Sequence, residues 1–220
     1  MVPPDDPKYA LRLLWLTEQE EQGYYYGFSN DALWPLCHNA YTEPTFEYRD
    51  WQAYKRVNQL FAGQILDEIG SKPAVVFIQD YHLALLSRLL RSADAEVITG
   101  QFWHIPWPDP DIFRICPWQE EILDGLLGND LLGFHIGEHS NNFVRGVSRV
   151  LDARVDQEYN FINYKGGTTL VRPFPISVDF EQINQVAQTD EVDREMERLV
   201  GELSLEGQVV GLRIDRIDYT

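Results

Sequence analysis

The nine residues Ala74-Val75-Val76-Phe77-Ile78-Gln79-Asp80-Tyr81-His82 decide the fold. Five apolar residues, four of them β-branched or aromatic, run without a polar break, as in a strand buried on both faces of a parallel sheet. A carboxylate ends the run, and Tyr81 to Arg91 reads as the helix that follows. The alternation recurs downstream. Glu96 to Trp103 is a second such strand and Leu131-Leu132-Gly133-Phe134 a third. Trp118, Ile122, Leu123, Leu126 and Leu127 mark one intervening helix, stopped by Gly128-Asn129-Asp130; Phe143, Val144, Val147, Val150 and Leu151 mark another. Upstream, Trp51, Tyr54, Val57, Phe61 and Ile65 step by three or four along an amphipathic helix from Asp50 to Gly70, and Tyr9 to Leu16 reads as a strand. Strands and helices alternating at this spacing imply βαβ units: an α/β fold with a doubly wound, mostly parallel sheet and helices on both faces.

Beyond the third strand the pattern changes. Tyr159 to Val171 reads as a hairpin around Lys165-Gly166-Gly167, and Pro173-Phe174-Pro175 interrupts it. Val178 to Leu203 is charged and helical, and Gln208 to Ile214 reads as a strand ending in Asp215-Arg216. The division expected is therefore a domain over residues 1–176 and the start of a second Rossmann-like domain over 177–220.

Composition narrows the function. With 44% hydrophobic and 13% aromatic residues among 220, the chain can bury a real core. Its 18 basic and 35 acidic residues give a net charge of −17, which argues against a nucleic-acid or anionic-membrane surface. An anionic small molecule needs only one or two cations, so it stays allowed. Cys37 and Cys116 lie far apart and outside any CxxC arrangement, the usage of a reducing compartment. No apolar run reaches the length of a membrane span. These features predict a soluble, cytoplasmic protein; assembly into a homo-oligomer is left open.

In a parallel sheet, ligands bind at the carboxyl ends of the strands. Asp80, His104 and His135 each follow a strand, so all three should leave the same rim. Asp80 is also a favoured helix N-cap, and both roles can hold together. His104 opens the stretch His104-Ile105-Pro106-Trp107-Pro108, where the proline restricts the backbone just after it. Three Trp and two Phe crowd residues 102–118, which reads as a pocket wall. No metal site is read from the five histidines, so no metal is expected. No G-x-S-x-G elbow is present, which disfavours a doubly wound hydrolase.

Eight collinear pieces carry a family resemblance. They are Tyr24-Tyr25-Tyr26-Gly27-Phe28-Ser29-Asn30 with Leu33-Trp34-Pro35-Leu36-Cys37-His38, Tyr54-Lys55-Arg56-Val57-Asn58, Asp80-Tyr81-His82-Leu83, and the His104 to Pro108 loop. Glu121 to Leu127, Asp130 to His135, Pro175-Ile176 and Asp215-Arg216-Ile217-Asp218-Tyr219 complete the set. Over residues 14–220 the chain resembles the trehalose-6-phosphate synthases, retaining two-domain GT-B glycosyltransferases that join a nucleotide-activated glucose to glucose-6-phosphate. The resemblance implies that Tyr25 and Asp80 hold the acceptor, with Trp34 and Ile105 shaping its pocket. It implies that His104 stands at the reacting centre beside the donor sugar and that Arg216 binds the donor diphosphate. The co-substrate implied is UDP-glucose, with no cofactor and no metal.

Departures from the family pattern qualify this. Nothing here corresponds to the family's first strand and glycine loop, and the lysine partner of Arg216 is absent. The 220-residue chain is therefore expected to show negligible turnover alone, and steady conversion of UDP-glucose and glucose-6-phosphate would contradict that. Gln79 stands where the family commonly has His, Trp103 for an aliphatic residue and Trp107 for Phe. Two alternatives stay open: a related synthase with another acceptor such as glycerol-3-phosphate, and a non-catalytic sugar-phosphate-binding or oligomerisation module.

Overall fold

The structure is a computed structural model that describes residues 8–93, 96–156 and 158–214. The chain divides into two compact units, one through Pro175 and one from Ile176.

In the first unit, a capping box starts α1 (Glu18–Glu21): Thr17 Oγ1 accepts from the Glu20 N–H at 3.2 Å, and Glu20 Oε2 accepts from the Thr17 N–H at 2.9 Å. The chain runs on into a π-helical segment, Gln22–Leu33, and α2 (Trp34–His38). The Ser29 hydroxyl donates to the carbonyl of Tyr24, five residues back, the span of a π-helical bond. Gly23 and Gly27 let this segment lie against α3 (Tyr48–Ile69): a Cβ at Gly23 would stand 2.6 Å from that of Ala53, and one at Gly27 2.5 Å from the Asp50 carboxylate.

The sheet elements follow: β1 (Ala74–Gln79), α4 (Leu86–Ser92), β2 (Val97–Phe102), α5 (Pro110–Phe113), α6 (Gln119–Leu126), β3 (Leu131–Phe134) and α7 (Gly137–Val150). A meander of β4 (Arg154–Asp156), β5 (Phe161–Tyr164) and β6 (Gly167–Pro173) closes the unit. The strand order is β1-β2-β3-β6-β5-β4. Pairs β1–β2, β2–β3 and β3–β6 are parallel, while β6–β5 and β5–β4 are antiparallel. The expected hairpin is β5–β6, turning at Lys165 and Gly166, both at positive φ.

This order explains where the helices sit. The parallel strands advance in one direction, and right-handed crossovers then deliver every connecting helix to one face. Ile78, Gln101, Trp103, Leu132, Phe134 and Val171 are buried on that face. On the opposite face Val75, Phe77 and Ile98 are 75%, 68% and 63% exposed, so the cover expected on both faces is supplied on one by the described residues. Trp51, Trp103, Trp107, Tyr54, Phe28, Phe134 and Phe143 fill the core, each stabilising the fold by roughly 2–3 kcal/mol through burial.

Three sequence expectations change. Tyr9 to Leu16 forms only an isolated bridge at Tyr9, and Leu11, Leu13 and Trp15 are exposed; alternating apolar residues make a strand only where a partner supplies a ladder. Tyr81 to Arg91 is a 3₁₀ turn (Tyr81–Leu83) followed by α4, not one helix. Residues 102–118 are less a pocket wall than core, because Trp103, Trp107, Phe113 and Cys116 are all buried.

In the second unit, the single helix expected over Val178 to Leu203 is two, α8 (Phe180–Ala187) and α9 (Asp190–Leu203). Asp179 caps α8 by accepting from the Gln182 N–H at 3.0 Å. Gln208 to Ile214 forms no strand among the described residues. No helix among the described residues is long and apolar enough to cross a membrane.

Candidate active site

Parallel pairing sets Gln79 opposite Phe102 and Phe102 opposite Gly133, so β1, β2 and β3 end together. Asp80 is the first residue past β1, and its backbone is strained at φ +66°, ψ −174°, a region left almost wholly to glycine and costing about 1–3 kcal/mol. Its surroundings over-determine that conformation. The Asp80 N–H donates to the Phe102 carbonyl at 2.7 Å, and its carbonyl accepts from the buried Gln101 amide at 3.0 Å. The carboxylate Oδ1 accepts from the Tyr81 N–H at 2.9 Å and from the His104 N–H at 3.2 Å. Asp80 thus caps the following turn and ties two strand ends together.

His104 is exposed on this rim. Its Nε2 lies 2.8 Å from Gln79 Oε1, with the Phe102 ring at 4.6 Å and the His135 ring at 5.7 Å. Two expected site residues, Asp80 and His104, are therefore in direct contact, and His135 joins them.

Tyr25 reaches the same neighbourhood through His82. The imidazole stacks on Tyr81 at 4.1 Å and on Tyr25 at 5.4 Å, nearly parallel to the latter. Behind this stack the buried Tyr54 hydroxyl donates to the Tyr81 carbonyl at 2.5 Å and accepts from the Ala84 N–H at 3.0 Å. Asn58 Oδ1 accepts from the Leu85 N–H, and its Nδ2 donates to the His82 carbonyl. The YxxVN pattern on α3 is thus the support of the Asp80-Tyr81-His82 turn. Tyr81 completes the tie, donating to Asn30 Oδ1 at 2.9 Å.

Trp34 stacks on His38 at 3.8 Å, and His38 Nδ1 lies 2.8 Å from the Trp34 carbonyl. Ile105 is buried within the main core. Trp103 and Trp107 also face the core, 5.0 Å apart, so their bulk does not narrow the rim. Arg216 lies outside the described residues. His82 and Gln79 were missed as site residues; His82 was readable only as part of the aspartate turn, and Gln79 only as a departure from the family pattern.

Burial holds the His82 imidazole below its ordinary pKa, with the nearby Asp80 carboxylate opposing. The folded state therefore binds this proton more weakly than the unfolded chain. Stability from this group is complete above about pH 6.5 and declines as pH falls, by at most about 1.4 kcal/mol per pH unit, until the folded imidazole titrates. His82→Phe keeps the ring stack and flattens this acid limb in urea titrations, leaving the share of His139, whose pKa burial also lowers. An unchanged limb would remove His82 from the account.

A cavity of about 800 Å³ opens elsewhere, between the π-helical segment and α3. Its charged groups are largely paired among themselves, Arg56 with Glu20 at 3.8 Å and Arg49 with Asp50 at 3.5 Å. The rim is the better candidate because strain and convergent polar groups gather there.

Solved structures similar to this chain include trehalose-6-phosphate synthases. A trehalose-6-phosphate enzyme structure from E. coli, bound with UDP-2-fluoro glucose, is similar with TM-score 0.77 and 29% identity, covering 86% of this chain and 42% of that one. One from Burkholderia xenovorans, in complex with glucose-6-phosphate, also gives TM-score 0.77, at 27% identity over 86% of this chain and 42% of that one. The fold is thus that of a GT-B glycosyltransferase. Residues 3–220 match the model of glycosyltransferase family 20, and the chain belongs to that family. Relatives include a bifunctional trehalose-6-phosphate synthase/phosphatase of Thermoproteus tenax, 40% identical over 93% of this chain and 28% of its own length. A trehalose-6-phosphate synthase of Mycobacterium avium is 34% identical over 98% of this chain and 46% of its own. The chain thus spans less than half the length of these relatives.

Proposed function

We propose that this chain forms the acceptor side of a retaining glycosyltransferase that moves glucose from UDP-glucose to glucose-6-phosphate, a step of trehalose biosynthesis. The observation that carries the reading is the strained Asp80, whose carboxylate ties the ends of β1 and β2 together on the sheet's ligand-binding rim. The neighbours' bound UDP-2-fluoro glucose and glucose-6-phosphate support the substrate pair.

In this reading the unit through Pro175 receives the acceptor, and residues from Ile176 begin the nucleotide-sugar domain. Asp80 accepts hydrogen bonds from acceptor hydroxyls and fixes the attacking oxygen. Tyr25 donates its phenol to a phosphate oxygen, while Trp34 and Ile105 bound the sugar. His104 stands beside the donor sugar, and Arg216 neutralises the departing diphosphate. Retention needs no protein nucleophile: the acceptor oxygen bonds to the anomeric carbon on the face from which the diphosphate leaves. The leaving phosphate oxygen takes the acceptor's proton. No resident cofactor takes part. Cys37 and Cys116, both buried free thiols, suit a cytoplasmic location.

Calorimetric titration of the 220-residue chain tests the acceptor. Glucose-6-phosphate is expected to bind and glycerol-3-phosphate not to compete. Tighter binding of glycerol-3-phosphate, or no binding of either, would overturn the reading.

A further inference from the structure

We propose that Gln79 is a positioning residue that holds His104 in its Nε2–H tautomer and so turns an unprotonated Nδ1 toward the ligand. The functional meaning rests on His104 facing the reacting sugar, as proposed above; the tautomer itself does not.

Consecutive strand residues point to opposite faces, so Gln79 and Asp80 should serve different partners. They do not. Asp80 has left the extended conformation at φ +66°, and both side chains of this dipeptide end on His104. Asp80 Oδ1 accepts the His104 backbone N–H at 3.2 Å, while Gln79 Oε1 meets the ring Nε2 at 2.8 Å. One strand end thus clamps the backbone and the ring of a single residue just past the neighbouring strand.

The chemistry follows from the partner. An amide oxygen only accepts, so Nε2 must carry the proton, and in the neutral ring Nδ1 is then the acceptor. His104 would take a hydrogen bond from a sugar hydroxyl rather than give one. The Phe102 and His135 rings flank the imidazole at 4.6 and 5.7 Å and limit its rotation. An amide also carries no charge.

Long-range ¹H–¹⁵N spectra of the ring in the ligand-free chain test the assignment, with Gln79→Ala and Gln79→Glu beside wild type. Gln79 is exposed, so both variants should fold, and far-UV dichroism checks that they do. In the neutral form the wild type should show a protonated Nε2 and a bare Nδ1. Gln79→Ala should shift the tautomer mixture toward Nδ1–H. Gln79→Glu keeps an oxygen acceptor within hydrogen-bonding distance and should retain the Nε2–H tautomer. A wild-type ring protonated at Nδ1, with the glutamine amide turned to donate, overturns the proposal. So does a tautomer mixture that is the same in Gln79→Ala as in wild type. Because no ligand is present, failure here leaves the transferase reading standing; failure of glucose-6-phosphate to bind would leave the tautomer result intact.

Discussion

Asp80→Ala should weaken the proposed binding of glucose-6-phosphate by about 30-fold or more, the loss of a charge-assisted hydrogen bond worth roughly 2 kcal/mol together with the freed His104 backbone. It also lowers stability, because the strained backbone remains while its side-chain anchors to Tyr81 and His104 disappear. Asp80→Gly separates the two effects. Glycine adopts φ near +66° without the Cβ penalty, so Asp80→Gly should bind as poorly as Asp80→Ala yet unfold at higher urea, by about 1–2 kcal/mol. A carboxylate retained only as a helix cap would give a different pattern: both variants would bind the sugar phosphate like wild type.

Tyr54→Phe carries the largest expected loss of stability from a single-atom change, about 2–4 kcal/mol in urea unfolding. The side chain is fully buried, and its hydroxyl is the partner of both the Tyr81 carbonyl and the Ala84 N–H. Each group left unsatisfied inside the protein costs about 1–3 kcal/mol. Because these two bonds shape the turn after Asp80, sugar-phosphate affinity should fall with stability. A loss below about 0.5 kcal/mol, the usual range for a surface substitution, would show that the turn is held by something else.

The elements that could be read from residues alone were those that a local run or a local turn defines. The run Ala74 to Ile78 is apolar on successive residues and became β1, and Lys165-Gly166 became the β5–β6 turn. What failed depends on partners that periodicity does not see. Tyr9 to Leu16 and Gln208 to Ile214 carry strand-like composition, but no described strand pairs with either in a ladder. The π-helical segment escaped because hydropathy does not mark its buried face: Tyr24, Phe28 and the polar Ser29 go inside while Tyr25 and Tyr26 stay out.

The site was legible to a similar depth. Parallel strands predict that Asp80, His104 and His135 share a rim, and the ring and hydrogen-bond distances place them in one cluster. The positive φ of Asp80 could not be foreseen, since nothing in an aspartate announces it. For the same reason Gln79 read as a plain departure: its contact with His104 exists only because two strand ends align. The bulky Trp103 and Trp107 misled in the other direction, suggesting a pocket where they fill the core.

The central claim is that the ends of β1, β2 and β3 receive the sugar phosphate. Amide shifts of the ¹⁵N-labelled chain during titration with glucose-6-phosphate measure it directly. The account predicts saturable shifts concentrated at Tyr25, Asp80, Tyr81, His82 and His104, which in Asp80→Ala need about 30-fold more ligand or do not saturate. Shifts centred on the cavity beside Arg49 and Arg56, or equal in wild type and Asp80→Ala, would contradict it.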